Sequence, residues 1–252
     1  MSNKNKVESF YDNFVAELIN DFKAFNKRQD FVKKLIKRFI PKNSIVLEIG
    51  CGAGIVTRMI LRNATKVIAV DISTNNIEIA RSYNRKSNID YYIWDVLSDE
   101  IPFGEELRFD AIVFADVIEH IPSDKVGELF RKLEKRLNNR GRIILAYPSI
   151  EYQKHLKKNN PSAMQIIDEE VELSFLLKHT SLRPLYFSYN NVWGYNQYVH
   201  LVLQSGIEYS EPLKSGIIDY FVYRFKKYSW RIKNYRFYRS AIKKYLNRGK
   251  EN

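Results

Sequence analysis

The sequence predicts an α/β fold: a doubly wound, mostly parallel sheet of seven strands with one antiparallel strand. Three observations carry this expectation. Short apolar runs alternate with amphipathic helical patterns through the middle of the chain. The first run, "SIVLEI", ends in "GCGAG", with glycines at alternate positions directly before a helical pattern. The last two runs have only a turn at "VWGY" between them, so they pair as a hairpin and bring in the antiparallel strand. Strands that are apolar nearly throughout belong to a parallel sheet covered on both faces.

In chain order, residues of about 6–25 and 29–40 read as two helices. In the second, Phe31, Leu35, Ile36 and Phe39 recur at helical spacing and Pro41 ends it. "SIVLEI" leads into a helix over Ile55 to Leu61. "KVIAVD" is the second strand, and Ser73 caps a helix running to about Tyr83. "IDYYIW" and "FDAIVFA" are the third and fourth strands, followed by a helix from about Ser123 to Leu137, and "GRIILAYP" is the fifth. Residues 150–167 are polar, rich in Lys and Asn, and read as a mobile insertion. A helix over about 168–178 and the hairpin "LRPLYFSYNN"/"NQYVHLVLQ" complete the pattern. The chain so divides into a helical N-terminal cover (1–43), a ligand-binding domain (44–205) and a basic helical tail (206–252).

A chain of 252 residues, 45% hydrophobic, suits one medium domain with extensions. No run of about 18 apolar residues reads as a membrane-spanning helix. "MSNKNKVESFYDNF" lacks the apolar core of a secretion signal. Cys51 is the only cysteine, which excludes an intramolecular disulfide and a zinc-type Cys/His cluster; no metal is called for, and a reducing cytoplasm is the expected compartment. The net charge of +12 sits at the ends: residues 1–43 carry +5, 44–212 carry −3 and 213–252 carry +10. In the tail, Ile218, Phe221, Phe225, Tyr228, Ile232 and Tyr235 form an apolar stripe with Lys and Arg elsewhere. Three partners compete for it: the protein itself or a second subunit, an anionic membrane surface contacted peripherally, and, least favoured, single-stranded nucleic acid, for which no recognised module is present.

Ligands of parallel α/β sheets bind beyond the carboxyl ends of the strands, which is where Gly50, Asp71, Asp95 and Asp116 fall. The glycine loop misses two familiar spacings. A dinucleotide loop would need glycine where Ile55 stands, and no Gly-Lys-Ser/Thr follows to cradle a phosphate. Glu48, just ahead, argues against a pure anion cradle and suits a ligand carrying an amine. Asp71 can accept both hydroxyls of a ribose, or it can cap the next helix, a task Ser73 could take instead.

Four segments in order, "VLEIGCGAG", "VIAVDIS", "WDV" and "FDAIVFADVIEHIP", make residues of about 26–205 resemble the class I S-adenosylmethionine-dependent methyltransferases. The "EH" pair, with an N-x-R ahead of the glycine loop, looks most like the ubiquinone-biosynthesis O-methyltransferase and sugar-methyltransferase branches. The resemblance implies a Rossmann-like fold, S-adenosyl-L-methionine as cofactor, and methyl transfer to an oxygen or nitrogen of a small-molecule acceptor. A sugar, a lipid-linked glycan intermediate or a quinone-like phenol would each serve. It puts the methionine part of the cofactor over Gly50, Gly52 and Gly54 with Glu48 near its amino group and Arg28 near its carboxylate. Asp71 and Ile72 fall to the ribose end, Asp95 to the adenine amino group, and Val96 and Ala115 border the cofactor.

His120 is the candidate general base, since an imidazole titrating near about pH 6.5 is well placed to remove a hydroxyl or amine proton; its rival role is capping the "IPS" turn. Asp116, Glu119 and Tyr147, with Pro148 and Ser149 beside it, are expected around the acceptor, and Tyr11 in a helical lid over it. His155, His179 and His200 read as structural. Two rivals stand against the enzyme on a small molecule. An RNA methyltransferase is disfavoured because "ADVIEH" replaces N/D-P-P-Y after the fourth strand. A non-catalytic cofactor-binding partner is disfavoured by the intact loop and carboxylates.

Overall fold

The computed structural model describes residues 27–98, 100–161, 167–192, 194 and 196–206. The expected helix over 6–25, Tyr11 and the tail over 213–252 lie outside them. Helix α1 spans Lys27–Phe39 and buries Val32, Leu35, Ile36 and Phe39, the i, i+3, i+4, i+7 set that makes one helix face apolar. Burial of each of these side chains contributes about 1.5–3 kcal/mol.

Strands β1 (Ser44–Ile49), β2 (Ala64–Asp71) and β3 (Ile89–Ile93) alternate with helices α2 (Ile55–Ile60) and α3 (Thr74–Tyr83). Ser73 caps α3, its hydroxyl accepting from the Asn76 N–H at 3.1 Å. Strand β4 (Phe109–Ala115) runs into a 3₁₀ turn over Ile118–His120 and then α4 (Ser123–Glu134). Strand β5 (Leu137–Pro148), α5 (Ile150–Asn159), α6 (Leu173–Lys178) and the hairpin β6 (Arg183–Asn190) and β7 (Tyr198–Gln204) follow.

The sheet order is β3-β2-β1-β4-β5-β7-β6, and β7 alone runs against its neighbours. The strand order reverses between the parallel neighbours β1 and β4, the place where such sheets open a crevice. Alternate strand residues feed two cores: Leu47, Ile68 and Ile112 pack on one face with α4, and Val46, Val67 and Ala111 on the other with α1 and α3.

Three expectations need correction. Strand β5 starts four residues earlier than Gly141 and α4 stops at Glu134. Arg140, in the left-handed region at φ 62°, and a register shift opposite Phe109–Ala111 let the strand bend where its first residues look like a loop. Residues 150–159 of the supposed mobile insertion are helical, because the Ser149 hydroxyl accepts from the Tyr152 N–H at 3.2 Å and caps them. The helix expected from 168 begins at Leu173 instead. Residues 168 and 169 are not helical, the Glu169 N–H donating to the Glu119 carbonyl at 2.8 Å instead.

Candidate active site

The glycine loop joins β1 to α2 at the opening of the crevice. Gly50 has φ 68° and a Cβ there would lie 2.4 Å from Val117 Cγ2; Gly54 has φ 84° and a Cβ would lie 2.7 Å from Asn84 Nδ2. The left-handed backbone is one reason for these glycines. Close protein neighbours, Val117 after β4 and Asn84 at the end of α3, are the other. The Asn84 amide also donates to the Gly54 carbonyl at 2.7 Å.

Asp71 ties this loop down. Its Oδ2 accepts from the Gly52 N–H at 2.8 Å, and its Oδ1 accepts from the Ser73 N–H at 2.9 Å and Asn76 Nδ2 at 3.2 Å. Burial pushes its pKa up, opposed by these donors from Ser73, Gly52 and Asn76. Ile72 follows it directly. Glu48 is 2% exposed and its Oε2 has no hydrogen-bond partner. Burial pushes its carboxyl up to about 8, with Thr57 nearby favouring the charged form and the Asp71 charge opposing it. No bond of hydrogen-bonding geometry reaches Glu48 from the Thr57 hydroxyl, which is itself unpartnered.

After β3, the Leu97 N–H donates to Asp95 Oδ1 at 3.0 Å, and Val96 is buried. Lys132 of α4 holds this turn, donating from Nζ to the Val96 and Ser98 carbonyls at 2.5 and 2.7 Å while lying 5.2 Å from the Trp94 ring centroid. Ala115 ends β4. Asp116 takes φ 57°, unusual for any residue but glycine, with its N–H on the Ala146 carbonyl at 2.8 Å. Arg28 of α1 meets it, Nη1 to Oδ2 at 3.2 Å, and donates from Nη1 to the Tyr198 hydroxyl at 3.3 Å.

Glu119 and His120 occupy the 3₁₀ turn. His120 Nδ1 lies 2.7 Å from the Ile167 carbonyl. A carbonyl only accepts, so Nδ1 carries the ring proton and Nε2 the lone pair. Burial lowers the His120 pKa and keeps the ring neutral; the bond to Ile167 and the charges of Asp168 and Asp116 pull the other way. Nε2 is 3.9 Å from Glu119 Oε1. Glu119 is 2% exposed, and burial first, then the Asp116 charge, raises its pKa well above the ordinary range and favours the neutral acid. The buried Tyr147 hydroxyl stands within electrostatic reach of Glu119 and Tyr189, and burial raises its pKa.

Arg28, Asp116, Glu119, His120 and Tyr147 are therefore brought together, while Glu48, the glycines, Asp71 and Asp95 line the neighbouring strand ends. His200, within reach of the Asp116 charge, has its pKa pushed down to about 4 by burial and packs edge-on against Phe31. Sequence reasoning missed Gln153, Asp168, Tyr198 and Lys132. Gln153 Nε2 donates to Asp168 Oδ1 at 2.8 Å. Only Gln153 had a readable signal: Ser149 as a cap immediately after a strand end puts it in the first turn of a helix. Among the described residues no group of His, Cys, Asp and Glu could hold a metal ion, and no helix is long and apolar enough to cross a membrane.

Residues 24–183 match the family model of a methyltransferase domain. The chain is 37% identical over 78 residues to the ubiquinone biosynthesis O-methyltransferase of Methylocella silvestris, 30% of this chain and 29% of that protein. It is 30% identical over 107 residues to the Pelagibacter ubique enzyme of the same name, 42% of each. The chain thus spans less than half the length of these curated relatives. Among solved structures it is similar to the N-methyltransferase NodS of Bradyrhizobium japonicum WM9 in complex with S-adenosyl-L-homocysteine: TM-score 0.63, 17% identity, 82% of this chain and 100% of that one. It is also similar to magnesium protoporphyrin IX methyltransferase of Synechocystis PCC 6803: TM-score 0.64, 14% identity, 81% and 100%. At these identities the structural likeness speaks for the fold alone.

Proposed function

The chain belongs to the methyltransferase-domain family, as a class I S-adenosylmethionine-dependent enzyme, and we propose that it methylates an oxygen or nitrogen atom of a small-molecule acceptor with His120 taking the acceptor's proton. Its cofactor supplies a methyl group on a positively charged sulfur.

Two features support the glycine-loop end as the cofactor's place. Glu48 Oε2 is buried without a partner, which suits a cationic amino group. Asp71 fixes the Gly52 N–H, so the loop's backbone is braced at the open strand ends. Glu48 would hold the amino group, and Asp95, Val96 and Ala115 the nucleoside end. Asp71 already receives three donors, so a ribose would share its remaining acceptor positions. Arg28, paired with Asp116, would hold the methionine carboxylate in this reading.

The observation that carries the proposal is the His120 tautomer. The Ile167 carbonyl fixes the proton on Nδ1, which in this reading gives the Nε2 lone pair the role of base. The charges of Asp116 and Asp168 then stabilise the imidazolium that forms. Alignment of acceptor and methyl group contributes most of the acceleration, up to about 7–11 kcal/mol in favourable cases. The acceptor classes in play are a sugar, a lipid-linked glycan intermediate and a quinone-like phenol; the curated relatives favour oxygen as the atom methylated. Label transfer from methyl-tritiated S-adenosylmethionine to a panel of phenols, sugars and amines tests the proposal. Transfer to none of them, or transfer that His120→Ala leaves intact, would contradict it. The +10 balance of residues 213–252 supports a peripheral contact with an anionic cytoplasmic membrane face; salt-sensitive binding to anionic but not neutral vesicles tests it.

A further inference from the structure

We infer that the acceptor end of this site takes a polyhydroxylated, non-aromatic ring, a sugar or cyclitol, held by Glu119, Tyr147 and Gln153. The inference rests on the methyltransferase reading above and names its acceptor class.

Four buried polar atoms without hydrogen-bond partners carry it: Glu119 Oε2, Tyr147 Oη, Gln153 Oε1 and Asp116 Oδ1. They come from three elements that meet at the carboxyl ends of β4 and β5. Asp116 and Glu119 follow β4, Tyr147 is the last residue but one of β5, and Gln153 lies in the first turn of α5. Electrostatic reach links them: Glu119 feels Asp116, Asp168 and Arg28, and Tyr147 feels Glu119. Gln153 joins the group through Asp168 and Glu119 through the Glu169 N–H. Glu119, Tyr147 and Gln153 are each 2% exposed or less. Side chains of Asp116 and Arg28, 27% and 24% exposed, give the group an edge open to solvent.

An orphaned buried polar atom is costly, and four gathered in one place point to a ligand that meets them. The set mixes types. The Tyr147 hydroxyl and a neutral Glu119 acid donate as well as accept, while Gln153 Oε1 and Asp116 Oδ1 only accept. A ring bearing several hydroxyls, each both donor and acceptor, answers such a set. A flat phenol offers one or two oxygens at its rim and two apolar faces, and would leave the remaining atoms unpaired. Sites built to bond hydroxyls reject analogues lacking them strongly, by up to about 10⁴–10⁵.

The test uses the full chain saturated with S-adenosylhomocysteine. The probes are myo-inositol, methyl α-D-glucopyranoside, methyl α-D-mannopyranoside and methyl α-L-rhamnopyranoside, with catechol as the contrasting ring, read by saturation-transfer NMR and titration. At least one polyol should bind better than catechol. Glu119→Ala and Gln153→Ala should each weaken it at least tenfold while S-adenosylhomocysteine affinity changes less than twofold. Glu119→Gln, of the same shape and able to donate and accept, should keep most of the affinity; this separates loss of a hydrogen bond from loss of folding. Preference for catechol, no binding of any polyol, or polyol affinity indifferent to Glu119→Ala and Gln153→Ala would overturn the inference. Failure of the unmodified chain to bind S-adenosylhomocysteine would instead strike the reading beneath it.

Discussion

The two ends of the crevice are built in different ways. The proposed cofactor end takes its groups from three successive strand ends: Glu48 to Gly54 at the end of β1, Asp71 at the end of β2 and Asp95 after β3. Its backbone is braced by bonds that are already made, above all those converging on Asp71. The proposed acceptor end collects Asp116, Glu119, His120, Tyr147, Gln153 and Tyr198 from the turn after β4, β5, α5 and β7, with Arg28 linking Asp116 to Tyr198, and it has four buried polar atoms unpaired. In the proposed reading the first end is a braced seat that keeps Glu48 Oε2 unpaired for the cofactor's amine, whereas the second spreads its unpaired atoms over three elements for the acceptor. The two meet where Val117 packs against Gly50.

Substitutions should separate them. The largest effect is expected from His120→Ala: turnover should fall by about 10²–10⁴ with cofactor affinity nearly intact. Because burial lowers the His120 pKa, the base stays unprotonated at neutral pH. The acid limb of kcat/KM should therefore fall at a pH below about 6.5, the usual histidine value, and vanish in the variant. A kcat/KM profile against pH checks both.

Gly50→Ala attacks the seam. A side chain at φ 68° costs about 1–3 kcal/mol of strain, before Val117 is displaced. Thermal unfolding and S-adenosylhomocysteine titration should both register the loss, and an unchanged affinity would show that the two ends are independent. Asp71→Ala belongs to the cofactor end alone. Loss of the charged acceptor beneath Gly52 should cost about 1.5–3 kcal/mol of cofactor affinity, read by calorimetry, without changing the polyol binding of the other end.

The positions of the glycine loop, Asp71 and Asp95 were legible because they lie in short motifs at predictable strand ends, and the strand–helix alternation placed those ends in order. Seven strands, the antiparallel β7 and the Ser73 cap could all be read from local pattern. The acceptor end was legible only where it lies in one segment, from Asp116 to His120. Gln153 meets Asp168 from 15 positions away, and Lys132 reaches Val96 across 36. Contacts at such separations leave no periodicity behind. The loop bond between Glu169 and Glu119 shortened a helix that composition alone favoured. The glycine loop carried a subtler lesson: alternate glycines looked like room for a ligand, yet Val117 and Asn84 crowd two of them.

The last expected effect concerns Glu48 and is read against pH. A buried carboxyl raised to about 8 binds its proton more tightly in the folded than in the unfolded chain. Stability should therefore fall as pH rises from about 4.5 towards 8, and Glu48→Gln should lose that slope. Denaturant midpoints across this range check it. A cationic amine beside Glu48 would favour the carboxylate, so cofactor binding near neutral pH should release a proton in the unmodified chain and none in the variant.

The central claim is that the braced end is a seat for S-adenosylmethionine. Isothermal titration of the full chain with S-adenosylmethionine, S-adenosylhomocysteine and NAD tests it most directly, and repeating it in buffers of different ionisation enthalpy counts the proton. The account predicts saturable binding of both S-adenosyl ligands, proton release that Glu48→Gln abolishes, and no binding of NAD. Tight NAD binding with no response to either S-adenosyl ligand would contradict it.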